Sequence, residues 1–85
     1  MSRAVSDILG DVLARAELSS SILIGLDDAQ RYGDITRVEH DVANKRISRW
    51  LEDNEELVYQ TFAVKKEAFK QFIREVKANE SMRTG

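Results

Sequence analysis

Cysteine is absent from the 85 residues, so neither a disulfide framework nor a thiolate metal site is available to this chain, and a reducing compartment suits it. Proline is absent as well, and no glycine occurs between Gly33 and Gly85, so a long stretch lacks both strong breakers of regular structure. Histidine occurs once, at His40. No purely apolar run is longer than Ile22 to Ile24, far short of a signal peptide or a membrane span. Charge of one sign is also lacking: the formal net charge is −2, too small for a global field drawing the chain onto nucleic acid. These absences lead us to expect a cytoplasmic protein with no membrane partner and no cofactor.

What remains is amphipathic. Val5, Ile8, Leu9, Val12, Leu13 and Ala16 recur at spacings of three and four, which sets them on one face of a helix. Ser19, Ser20 and Ser21 follow, and one of these hydroxyls is expected to cap a second helix with the stripe Ile22, Leu23, Leu26, Ala29. Gly25 is a weak point in that stripe, and Gly33 is suited to ending the helix. Thr36 and Glu39 have capping-box spacing ahead of Val38, Val42, Ile47, Trp50 and Leu51, which predicts a third helix. The pattern falters over residues 52–56. A last amphipathic segment then carries Leu57, Val58, Phe62, Phe69, Phe72, Ile73 and Val76. The fold expected is all-α, a compact bundle of about four helices in one domain, with residues 79–85 a frayed tail.

A rival exists in the second half. Leu57 to Val64 is rich in β-branched and aromatic residues and could pair with Arg46 to Leu51 across an acidic turn. That arrangement would be α+β, with a β-hairpin around residues 46–64 followed by a C-terminal helix.

The residues offer no evident chemistry. No nucleophile or base sits at a spacing that would enlist His40, and Glu39, His40 and Asp41 radiate to different sides of a helix, so they cannot converge on one metal ion. Acidic pairs near helix ends fit the helix dipole. The glycines form no phosphate-binding loop. An enzyme is therefore not expected.

Binding is the class left, and three surfaces qualify. Five of the six aromatic side chains lie in the second half, so Trp50, Tyr59, Phe62, Phe69 and Phe72, with Ile73, are candidates for a homodimer interface, and for a core. A thin core of this size profits from such a supplement. Lys66, Lys70, Arg74 and Lys77 form a basic stripe beside the last apolar face, open to an acidic protein target. Ala29 and Gly33 have the four-residue spacing of a helix-turn-helix, which makes Arg37, Lys45, Arg46 and Arg49 candidate nucleic-acid contacts. Glu39 stands where that motif wants an apolar residue, and Asp41 and Glu52 interrupt the cations. The leading expectation is therefore a small non-enzymatic regulatory or inhibitory protein acting through protein–protein contact, with a DNA-binding regulator second.

Overall fold

The structure, a computed structural model, describes residues 3–83, with the side chain of residue 83 left aside. It is all-α: α1 (Val5–Ser19), α2 (Ile22–Arg31), α3 (Arg37–Asp53), a short 3-10 helix (Glu55–Tyr59) and α4 (Phe62–Arg83). No strand occurs among the described residues, so the hairpin expected as a rival around residues 46–64 does not form. Its place is taken by the end of α3 and the 3-10 turn, because residues 52–56 offer neither Asn-Gly nor another turn with positive φ to reverse a strand.

Local signals set the helix ends. Ser20 adopts the left-handed conformation (φ 57°) that stops α1, and the Ser21 hydroxyl accepts the Ile24 N–H at 3.2 Å to start α2. Gly33, with φ 81°, ends α2, and the Asp34 and Ile35 N–H groups both donate to the Ala29 carbonyl, at 2.8 and 3.1 Å. At the head of α3 the capping box is complete: Thr36 Oγ1 accepts from Glu39 N–H at 3.1 Å, and Glu39 Oε1 accepts from Thr36 N–H at 2.8 Å. Asn54 closes α3 and donates its side-chain amide to the Trp50 carbonyl at 2.8 Å.

The last helix begins later than its apolar pattern suggests. Leu57 and Val58 belong to the 3-10 turn, and α4 starts at Phe62 behind Thr61, whose Oγ1 accepts from Val64 N–H at 3.4 Å. It also ends later. Asn79 to Arg83, in the expected tail, continue the helix, and a long-range clasp holds this end: the Glu80 carboxylate accepts from Ser6 N–H at 3.0 Å and Ser6 Oγ at 2.8 Å. Residues 84 and 85 of that tail lie outside the described residues.

One core joins all elements. Ile8, Leu9, Val12 and Ala16 from α1, Leu26 and Ala29 from α2, Ile35, Ala43, Ile47 and Trp50 around α3, and Phe69 and Val76 from α4 are all buried. α1 and α2 approach closely: a Cβ on Gly25 would lie 2.5 Å from Ala16 N and 2.6 Å from Ala16 Cα. Gly25 is therefore the residue that lets two backbones meet.

Candidate functional site

At the end of the bundle where α1 turns into α2, the apolar surface is left uncovered. The turn at Ser20 folds α2 back along α1, which places Leu23 on the outside, 52% exposed. On the facing side the 3-10 helix turns every three residues, so Leu57 points inward and is buried while Val58 and Tyr59 point outward at 64% and 89% exposure. The chain then extends through Gln60 and re-enters α4 at Phe62, which is half-buried against the core. Between these walls lies an open groove of about 260 Å³, lined by Ser20, Ser21, Ile22, Leu23, Leu51, Leu57, Val58, Phe62 and Lys65. Pockets for small ligands usually measure roughly 300–1,000 Å³, so this groove is sized for one or two protruding side chains.

The aromatic residues divide. Trp50 is buried with its ring stacked on Phe72 at 5.2 Å between centroids and tilted against Phe69 at 5.4 Å, while Phe69 is fully enclosed. Ile73 and Phe72 are half-buried against the same core. Trp50, Phe69 and Phe72 thus stack on one another and, with Ile73, pack against the chain's own core. Tyr59 and Phe62 alone among the six candidate interface residues border the uncovered end.

The stripes expected to be apolar also differ in part. Val38 and Val42 point to solvent at 70% and 36% exposure, because α3 buries only the narrow face of Ala43, Ile47 and Trp50.

The basic stripe is partly engaged. Lys66 and Lys70 are half-buried, Arg74 and Lys77 exposed, and Lys70 lies 3.5 Å from Glu67 while Arg74 Nη1 donates to Gln71 Oε1 at 2.9 Å. The candidate nucleic-acid contacts Arg37, Lys45, Arg46 and Arg49 are all exposed, and Arg49 borders one depression with Lys45 and another with Arg46, while Arg37 lies two turns earlier on α3. Lys45 and Arg49 sit with Glu52 and Asp53 around one polar depression, whereas Arg46 also borders a cleft with Val5, Val76 and Glu80.

His40 Nε2 lies 3.0 Å from Asp27 Oδ1, a surface pair in which the Asp27 side chain is 74% exposed, and neither residue borders the apolar groove. No group of three or more metal-ligating side chains occurs among the described residues. No helix among them is long and apolar enough to cross a membrane.

An ionic network at the opposite end escaped the sequence reading. The Arg3 guanidinium donates to Asp11 at 2.6 Å, to Glu39 at 3.1 Å and to the Asp34 carbonyl at 3.1 Å, while Arg15 donates to Asp34 at 2.5 Å and lies over the Tyr32 ring. Hydrogen bonding to Arg3, then to the Thr36 backbone, holds the Glu39 carboxyl below its usual range, and Arg15 does the same for Asp34. The network ties residue 3 and α1 to the α2–α3 turn. These partners lie up to 36 residues apart, so no local spacing announces them.

No protein family, curated protein or solved structure matches this chain. The functional reading rests on its own residues.

Proposed function

We propose that this chain is a small non-enzymatic regulatory or inhibitory protein that works by protein–protein contact through the apolar end formed by Leu23, Leu57, Val58, Tyr59 and Phe62, and that it self-associates. The observation carrying this reading is the exposure of Tyr59 and Val58 beside a groove whose walls are mostly hydrocarbon. Large side chains exposed next to one another at one end lose water favourably only when something covers them. Tyrosine is also among the residues that anchor interfaces, since its ring is apolar and its hydroxyl can still find a partner.

Affinity capture with quantitative mass spectrometry tests the proposal. Wild-type protein and Lys45→Glu should retain the same protein target, while Leu23→Asp and Tyr59→Asp should lose it. An identical retained set for all four baits would refute the reading.

A DNA-binding regulator is the second reading. It draws on the buried Ala29, the left-handed Gly33 and the sharp α2–α3 turn. It ranks lower because on the outward face of α3 Asp41 and Glu52 flank Lys45 and Arg49. It requires retardation of duplex DNA at low salt that fades steeply as salt rises.

A further inference from the structure

We infer that the occupant of the apolar groove is a second copy of this chain, docked about a two-fold axis so that Tyr59 of each copy enters the groove of the other. This rests on the protein-contact reading above and names the partner for that same end.

Two features of the end make it complementary to itself. A two-fold interface uses one patch on both subunits, so the patch must supply both a projection and a recess. Here they are neighbours in the chain: Tyr59, 89% exposed, projects from the 3-10 helix whose Leu57 and Val58 line the groove. The groove volume of about 260 Å³ accommodates one ring from a partner.

The second feature is charge. Glu55 and Glu56 open the 3-10 helix that carries the projecting Tyr59, while Lys65, which lines the groove, and Lys66 follow Phe62 on α4. None of the four belongs to an ion pair among the described residues. With acid on the projecting helix and base at the groove, a two-fold pairing that seats each projection in the other copy's groove brings acid to base at both contacts. An acidic or a basic foreign partner would satisfy one of these two charge groups and repel the other.

Sedimentation velocity of the full chain from about 1 µM to about 500 µM tests this, since that range brackets micromolar association. The wild type should pass from monomer to dimer with rising concentration. Tyr59→Asp should weaken the dimer about tenfold or more at unchanged far-ultraviolet circular dichroism, because the side chain touches little of its own fold. Glu56→Lys and Lys65→Glu should each weaken it, and the two together should recover most of the loss. A wild type monomeric throughout, a Tyr59→Asp variant that dimerises as well as wild type, or a double charge variant no better than the worse single one would each overturn the two-fold pairing. A monomeric wild type that still loses a captured target on Tyr59→Asp would sink the pairing alone and leave the protein-contact reading standing. If the captured set is also unchanged, both fall.

Discussion

Replacing Gly25 by alanine should destabilise this protein, although alanine is the better helix former. The two effects can be weighed. Alanine in place of glycine within a helix is worth about 1 kcal/mol through reduced freedom of the unfolded chain. Against that, the new methyl would stand 2.5 Å from Ala16 N, 2.6 Å from its Cα and 2.8 Å from its Cβ, where carbon contacts prefer about 3.5–4.0 Å. The obstructing atoms are mainly backbone, so no side-chain rotation relieves them and α1 and α2 must separate by roughly 1 Å at their crossing. That opens a seam beside Val12, Ile22, Leu26 and Ala29, all buried. Overpacking generally costs about 1–3 kcal/mol, and contact with a neighbouring helix backbone belongs at the upper end, which leaves a net loss of about 2 kcal/mol. For a chain of this length each kcal/mol moves the melting midpoint by about 4–8 °C, so the drop should be near 8–16 °C. Gly10 supplies the internal control, because a Cβ there meets nothing within 4 Å. Gly10→Ala should therefore stabilise by about 0.5–1 kcal/mol. Urea unfolding followed by circular dichroism at 222 nm reads both. A Gly25→Ala variant as stable as Gly10→Ala would refute the close-approach argument.

Phe69→Ala removes a fully enclosed ring packed on Trp50 and should cost about 3–5 kcal/mol, measurable by denaturant unfolding and by loss of the near-ultraviolet signal of Trp50. Thr36→Ala breaks the capping box and should lower stability by about 1 kcal/mol in the same assay. Glu80→Ala releases Ser6, and should both cost about 1–2 kcal/mol and speed amide exchange in the last turns of α4. The carboxyls of Asp34 and Glu39 titrate lower in the fold than in the unfolded chain because Arg15 and Arg3 bond to them. Their contribution is therefore complete above the ordinary carboxylate range of about 4 and disappears as pH falls below it through the depressed values. Arg3→Ala should flatten that acid-side decline, as followed by melting temperature between about pH 5 and pH 2.

Much of the fold was legible in spacing. The α1 face, the Ser21 and Thr36 caps and the stop at Gly33 all follow from residues a few positions apart, where helical geometry alone determines who meets whom. Periodicity reveals which side of a helix is apolar, however, not what covers that side. For this reason Trp50, Phe69 and Phe72 were equally good candidates for interface and core, and Val38 and Val42 looked buried. The start of the last helix was misplaced for a related reason, since Leu57 fits a helical stripe and a 3-10 turn equally well. Gly25 looked like a defect because its use depends on Ala16 across a helix pair. The Ser6–Glu80 clasp spans 74 residues and left no trace in any local pattern. The groove was half visible: Tyr59 and Phe62 were among the candidate residues, while Leu23 on α2 could be joined to them only once α1 and α2 were folded back on each other.

Photocrosslinking from position 59 tests the central claim most directly. With a photoreactive phenylalanine analogue replacing Tyr59 in cells, the apolar end should yield discrete protein adducts, including a dimer of the chain itself, and the same group at Asn44 on the outward side of α3 should yield none. Equal yields from both positions, or no protein adduct from position 59, would contradict it.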